Sequence, residues 1–266
     1  DEEIGVITNP EVDSVTLDLS GIFNFPDLCD EGQNGYEMST YTAELTYIPE
    51  DIFEQYLIDQ GYDDAMNGYV RTANVVNITA IGIDPPDICQ TQDCTEDQFY
   101  DFDYRFAYRI NNLSGIEAFK NIEHMNLIGH KIDSINLTKN IKLENFYANF
   151  NEFKALNTDK NLELKIISID DNIPDWSEDE LANPGDTVTK LNFTYNTKLE
   201  HISVPSLGLT SLDISNNPNI KGLIAGNNNF SSIDFSNNSG GMEVIKLGGN
   251  NLTEIDVTNF PLLRVF

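Results

Sequence analysis

The C-terminal part of the chain repeats itself, and this repetition restricts the possible folds more than any other feature of the sequence. Three successive units align on Leu212, Ile233 and Ile255, which are 21 and 22 residues apart. Each unit joins a segment of alternating apolar residues to a polar turn rich in Asn. A fixed period of this length is typical of a solenoid, because one coil cannot bury its apolar face alone and must stack on its neighbours.

The units match the pattern L-x-x-L-x-L-x-x-N-x-L, which is the motif of leucine-rich repeats. Alternate residues of a short strand point to the same side, so Leu223 and Ala225 are expected to point inward. Asn228 and Asn250 are expected to bond backbone groups of adjacent coils and so to form a ladder. The pattern extends upstream, but His130 and Leu207 stand where Asn is expected, which predicts two breaks in this ladder.

The predicted fold class is an α/β solenoid that is mostly β: a right-handed leucine-rich-repeat superhelix of about seven or eight coils. Pro49 and Gly61 mark the start and stop of an amphipathic helix that would cover the open end of the solenoid. Residues 40–48 alternate in polarity and are expected to pair with a strand at 15–19. The predicted divisions are an N-terminal segment of short strands and loop at 1–45, a helical cap at 46–77, and repeats at 78–266 with insertions at 84–109 and 174–187.

The charge of the chain excludes two classes of partner. There are 44 acidic and 15 basic residues, a formal net charge of −29. Nucleic acids and anionic membranes are bound mainly through Lys and Arg, so neither is an expected partner. The preferred interpretation is solubility through self-repulsion. No apolar run approaches the roughly 18 residues that span a bilayer, and no charged-then-apolar leader is present, so we expect no membrane insertion.

Three cysteines leave the redox state open. Cys89 and Cys94 could close a small loop in an oxidising compartment, whereas Cys29 has no evident partner. The alternative is three ordinary thiols. A zinc site is not expected, because no second pair of Cys or His accompanies them at ligand spacing.

Three stretches resemble a known family: residues 48–61, residues 113–122, and the Leu-Thr-Ser-Leu-Asp-Ile-Ser-Asn-Asn units. They are similar to the 21-residue leucine-rich repeats of internalin-like proteins common in Bacteroidetes. The resemblance implies a secreted or cell-surface protein whose concave, strand-lined face binds a partner without catalysis. The opening Asp1-Glu2-Glu3 also resembles the acidic stretch after the lipid-bearing Cys of surface lipoproteins, which implies a lipid anchor upstream and attachment to the outer membrane.

The repeat register identifies candidate binding residues, while the absence of nucleophile, zinc-protease and phosphate-loop motifs predicts no catalytic residues. Residues between the inward positions face outward on the strand-lined side. Tyr147 is the best candidate for an anchor, because exposed aromatic residues are enriched in binding hot spots and also stack on sugars. Phe150 either contributes to the same binding site as Tyr147 or packs between coils. The candidate binding residues are His124, Asn126, Asn145, Tyr147, Phe150, His201, Ser203 and Lys246.

Calcium is the one cofactor considered. A cluster of hard oxygen ligands lies around the second insertion: Asp170, Asp171, Asp175 and Glu178. The competing interpretation is that these are solvated acids of a very acidic chain. Trp176, in the same insertion, is either a binding residue or, in the preferred interpretation, an apolar plug that holds this loop on the solenoid.

The sequence therefore predicts a non-enzymatic, monomeric, extracellular module that binds a protein or a glycan through its concave face. The rival hypothesis is a structural spacer of a larger cell-surface protein with no ligand of its own. The end of the sequence at Phe266, inside a new repeat, favours the rival, and the outward Tyr147 and histidines favour binding.

Overall fold

The computed structural model describes residues 44–83, 109–170, 188, 190–238 and 241–264. The elements in these ranges are β1 (Leu45–Tyr47), α1 (Asp51–Asp59), β2 (Tyr69–Arg71), α2 (Thr72–Val75), β3 (Ala80–Gly82), a 3₁₀ turn (Ile116–Ala118), β4 (His124–Asn126), β5 (Asn145–Tyr147), β6 (Ile166–Ser168), β7 (His201–Ser203), β8 (Gly222–Ile224) and β9 (Val244–Lys246). Strands β3 to β9 form one parallel sheet in sequence order, as stacked coils of a solenoid require.

The register of this sheet is uniform. The middle residues of neighbouring strands lie opposite each other, as Met125, Phe146 and Ile167 do. All seven middle residues are buried, whereas the residue on either side faces away from the core. The second inward residue of each repeat, such as Ala148 or Val204, is also buried. The predicted mostly-β leucine-rich-repeat solenoid is therefore confirmed.

The predicted Asn ladder is present, and it continues through His130, where the sequence analysis predicted a break. Asn151 Nδ2 donates to the Leu127 carbonyl oxygen at 2.7 Å, and Asn228 Nδ2 donates to that of Val204 at 2.9 Å. His130 is 1% exposed, and its Nε2 lies 2.8 Å from the Ile83 carbonyl oxygen. The neutral tautomer with the proton on Nε2 donates there and accepts the Ile110 N–H at Nδ1, so His130 replaces Asn in the ladder.

A second Asn ladder, on the other turn of each coil, was not predicted. Its members are fully buried, and each donates from Nδ2 to the backbone carbonyl oxygen of the preceding member. The donor distances are 2.8 Å for Asn161 to Asn140, 2.9 Å for Asn196 to Asn161, 2.9 Å for Asn217 to Asn196 and 2.8 Å for Asn238 to Asn217. The Asn-Asn pair that recurs in the last coils is the sequence feature that indicates this ladder. The second Asn of each pair is the buried member.

The helix predicted between Pro49 and Gly61 is found as α1, and Phe53 and Leu57 on one of its faces are fully buried. The ring of Phe53 stacks on that of Phe119 in the first coils, with centroids 5.8 Å apart. Glu54 is 1% exposed, and its Oε1 accepts hydrogen bonds from three consecutive backbone N–H groups of residues 67–69.

Two predictions about this N-terminal part are not tested by the described residues. The strand expected in 40–48 is found as β1, which pairs antiparallel with β2 because the turn after α1 brings Tyr69 back beside Tyr47. Residues 15–19, its predicted partner, lie outside the described residues. Most of segment 1–45 and of the two insertions lies outside the described residues, as do Cys29, Cys89, Cys94 and Trp176. The domain boundaries stay predictions.

Gly115→Ala is expected to lower the free energy of unfolding by about 2–3 kcal/mol. Gly115 has φ +97°, and an added Cβ would meet the Ile48 side chain and lie 2.6 Å from the Tyr47 carbonyl oxygen. Urea denaturation measures the loss. Gly82→Ala is the matched control, because its Cβ would meet nothing closer than Asn126 Cβ at 4.0 Å. Equal stability of the two variants would contradict this account.

The last three coils carry an aspartate column that closes a turn at the same place in each coil. Each carboxylate accepts the backbone N–H two residues later: Asp213 from Ser215 at 2.9 Å, Asp234 from Ser236 at 2.8 Å and Asp256 from Thr258 at 2.9 Å. Hydrogen bonds from the side chain and backbone of these hydroxyl residues lower the pKa of all three carboxyl groups. Earlier coils use an Asn acceptor instead, such as Asn136 or Asn192.

Because the last three coils have Asp where earlier coils have Asn, we expect acid to weaken these three turns. A carboxyl group whose pKa is lower in the folded state stabilises the fold above its unfolded pKa of about 3.9, and this stability is lost as pH falls through the folded pKa. The triple variant Asp213→Asn, Asp234→Asn, Asp256→Asn is expected to lose less stability than the natural chain between about pH 5 and pH 3. Thermal unfolding across this range checks it. The triple Ala variant, which has no acceptor, should be weaker at every pH, and identical acid profiles of the Asn and natural chains would exclude the mechanism.

Candidate binding face

The strand-lined face consists of the two outward residues of each strand, in two columns. The first column is Ala80, His124, Asn145, Ile166, His201, Gly222 and Val244. The second column is Gly82, Asn126, Tyr147, Ser168, Ser203, Ile224 and Lys246. Seven of the eight predicted binding residues lie in these columns, so the parallel register brings them onto one surface.

Phe150, the eighth, lies just beyond β5, and its side chain is 43% exposed. The alternative that it packs between coils is therefore wrong. Its backbone has φ +58°, and its N–H donates to Asp170 Oδ1 at 3.0 Å. The turn after β5 thus presents the ring to solvent at the edge of the strand-lined face.

The two histidines on the face are in different settings. His124 Nδ1 lies 2.9 Å from Asn145 Nδ2, and because an amide nitrogen can only donate, Nδ1 accepts. The ring of His201 lies over Gly222, where an added Cβ would be 2.7 Å from His201 Nδ1. The absence of a side chain at Gly222 therefore leaves the space that this ring occupies.

Tyr147 stands beside a floor of small side chains. The register places Ser168 and then Ser203 next to it in the second column. Ser168 Oγ donates to Asn149 Oδ1 at 2.9 Å, so this hydroxyl has a partner within the chain. An aromatic ring beside Ser168, with Ser203 one strand further on, offers a step against which a side chain or a sugar ring can pack.

The two columns differ from the rest of the chain in charge. None of their fourteen residues is acidic in the described strands, although the chain has 44 acidic residues and a net charge of −29. Lys246 and the two histidines are the residues in them that can carry charge. The two columns therefore carry no acidic side chain on a chain that is otherwise strongly acidic.

A column of charged residues precedes the strands and was not predicted. Lys165 Nζ lies 2.7 Å from Glu144 Oε2, and Lys221 Nζ lies 2.6 Å from Glu200 Oε2. The hydrogen bond that Lys221 donates lowers the pKa of Glu200, and the hydrogen bond that Lys165 donates to Glu144 raises the pKa of Lys165. Both pairs are partly exposed, so water screens them and their contribution to stability is small. The alternation of sign at equivalent repeat positions is the sequence signal that could have found them.

The described residues do not test the predicted calcium site. Of the four, only Asp170 lies within the described ranges, where it accepts the Phe150 N–H. Asp171, Asp175 and Glu178 lie outside them. Among the described residues, no group of three or more His, Cys, Asp or Glu side chains is arranged to hold a metal ion. A search of the same residues finds no helix with the length and hydrophobicity to cross a membrane.

Comparison with known proteins identifies the fold. No protein-family model and no curated protein matches the sequence. Internalin C2 of Listeria monocytogenes matches with a TM-score of 0.52 and 13% identity over 83% of this chain and 94% of that protein. The functional domain of InlJ from the same organism, which includes a cysteine ladder, matches with a TM-score of 0.45 and 16% identity, and this chain spans 51% of it. The chain therefore has a leucine-rich-repeat fold similar to that of internalin C2.

Proposed function

We propose that this protein is a non-enzymatic binding module that acts outside the cell or at the cell surface, and that it recognises a protein or a glycan through its strand-lined face. The leucine-rich-repeat fold shared with internalin C2 supports a module for protein binding. Attachment to the outer membrane through an upstream lipid, and a monomeric state, are part of the same proposal.

The observation that carries the proposal is the step at Tyr147. A half-buried aromatic ring beside small hydroxyl residues offers apolar contact area at a small loss of side-chain entropy. Asn126 on the neighbouring strand adds an amide that can bond a peptide or a sugar hydroxyl. Phe150 extends the aromatic surface at the edge of the sheet.

The chemistry of the face also supports binding in preference to catalysis. A nucleophilic site needs a hydroxyl or thiol within hydrogen-bond reach of a base. His124 instead bonds the amide of Asn145, and His201 lies on the backbone of Gly222. Ser168 is bonded to another amide, that of Asn149.

Tyr147→Ala is expected to weaken binding by about 30-fold, which corresponds to the 2 kcal/mol typical of a hot-spot residue. The purified protein would be screened by biolayer interferometry against extracellular proteins and polysaccharides, with and without calcium. Tyr195→Ala is the matched control, because Tyr195 is 55% exposed and lies outside the strand-lined columns.

The outcomes separate the remaining hypotheses. A ligand lost in Tyr147→Ala and kept in Tyr195→Ala supports the strand-lined face as the site. A ligand that needs calcium and ignores Tyr147 would move the site to the acidic residues Asp170, Asp171, Asp175 and Glu178. No binding across the panel would favour the structural spacer.

A further inference from the structure

The turn between α1 and β2 contains an Asn-Gly pair, Asn67-Gly68. The sequence has a second such pair at Asn34-Gly35, which lies outside the described residues. The side chain of Asn67 is exposed. Glycine has no side chain to shield its backbone nitrogen, so an Asn-Gly pair favours attack of this nitrogen on the Asn side chain.

This attack is the first step of deamidation. The Gly68 nitrogen bonds to Asn67 Cγ, the bond from Cγ to Nδ2 breaks, and Nδ2 leaves as ammonia with the proton that the Gly68 nitrogen gives up. Water then opens the five-membered imide at either of its carbonyl groups. The products are aspartate, with the original backbone, and isoaspartate, in which the backbone runs through the side-chain carboxyl carbon.

The folded turn holds both reacting groups in other contacts. The Gly68 N–H donates to Glu54 Oε1 at 2.6 Å, and the Gly68 carbonyl oxygen accepts the Ile48 N–H at 2.8 Å. Asn67 Oδ1 accepts the Tyr69 N–H at 2.9 Å. The nitrogen must lose its proton to attack, and the carboxylate beside it opposes this loss because two negative charges would lie together. Deamidation is therefore expected from the opened turn and not from the folded one.

The isoaspartate product does not fit the closed turn. Glu54, which is 1% exposed, accepts the consecutive N–H groups of Asn67, Gly68 and Tyr69 at one oxygen. Isoaspartate inserts a methylene group into the backbone between the first and the second of these groups, so they no longer converge on that oxygen. Both products also add a negative charge near the Glu54 carboxylate, and like charges repel. The reaction is thus one-way and leaves the turn open.

We propose that Asn67 is a site of covalent modification: it deamidates when this turn opens, and the Glu54 carboxylate suppresses the reaction while the turn is closed. The contacts of Gly68 account for the suppression, and the longer backbone accounts for the one-way outcome. The modification needs no ligand, because water is its only co-reactant. It is independent of the strand-lined face, so either proposal can fail without the other.

The test compares the rate of deamidation at Asn67 in the natural chain, in Glu54→Ala and in Asp51→Ala at mildly alkaline pH. Peptide mapping by mass spectrometry reads Asn67 separately from Asn34, and electron-transfer fragmentation separates isoaspartate from aspartate. Glu54→Ala is expected to react at least about 10-fold faster than the natural chain, because its turn opens more often. Asp51→Ala, on the exposed side of the same helix, should react at the natural rate. The natural chain in urea supplies the rate without protection.

A milder variant keeps the proposal falsifiable if Glu54→Ala unfolds the whole chain. Glu54→Gln keeps an oxygen acceptor but removes the charge, so it should react at least about 3-fold faster than the natural chain. Hydrogen exchange at Gly68 should be faster in the isoaspartate fraction than in the unmodified fraction, with β8 and β9 unchanged. Equal rates in the folded and the urea-denatured natural chain would overturn the proposal, as would the natural rate in either Glu54 variant or no reaction at Asn67 in urea.

Discussion

Asn217→Asp is expected to lower the free energy of unfolding by about 3–5 kcal/mol at pH 7. The substitution changes one amide nitrogen to oxygen and leaves the shape of the side chain unchanged. Asn217 is fully buried, and its Nδ2 donates to the carbonyl oxygens of Phe193 at 3.0 Å and Asn196 at 2.9 Å. A carboxylate there would place negative charge against two acceptors and would remove both donors.

The pH dependence of this loss has a defined sign. Burial against two carbonyl oxygens raises the folded-state pKa of the introduced carboxyl group above its unfolded value of about 3.9. Below that value the group is protonated in both states, so the loss is smaller. Above it the loss grows with pH, up to the folded-state pKa.

Urea denaturation at pH 7 and pH 5 measures this effect. Asn216→Asp is the matched control, because it makes the same change in charge at the exposed neighbour, where the cost should be less than about 0.5 kcal/mol. A loss that is the same at both pH values, or equal in the two variants, would show that the second ladder is not what holds these coils together.

Glu54→Ala is expected to cost about 4 kcal/mol, with the loss concentrated at the N-terminal end of the solenoid. One buried carboxylate oxygen accepts the N–H groups of Asn67, Gly68 and Tyr69 at 2.8, 2.6 and 3.1 Å. Truncation leaves the N–H groups of Asn67 and Gly68 without an acceptor, whereas that of Tyr69 keeps Asn67 Oδ1 at 2.9 Å. It also releases the turn that returns the chain to β2.

Hydrogen exchange locates the damage, and denaturation measures its size. The amides of Asn67 and Gly68 should lose their protection in Glu54→Ala, while those of β8 and β9 keep it. Glu54→Gln retains an oxygen acceptor without the charge and should lose about half as much. Asp51→Ala, on the exposed side of the same helix, should cost less than about 1 kcal/mol. Protected amides at Asn67 and Gly68 in Glu54→Ala would contradict the role given to this carboxylate.

The binding face was predictable to a useful extent. The period and the alternation of apolar residues place Tyr147 outward, and because every strand has the same register, they place Ser203 and Lys246 on the same surface. The charge column at Glu144 and Lys165 follows the same period, so it was within reach of the sequence. Phe150 was not decided by the pattern, because its exposure depends on the left-handed backbone of its own turn.

What the sequence determined by itself was the solenoid: a repeat of alternating apolar residues has few ways to bury them other than by stacking coils. The tertiary structure alone decided the contacts between coils that do not follow the repeat. His130 serves in the Asn ladder because Ile83 lies above it, and Glu54 is satisfied because the chain returns at Gly68. Ile141, Leu162 and Tyr195 form one groove although they are far apart in sequence. Local pattern fixes which way a side chain points, whereas stacking fixes which side chain it meets.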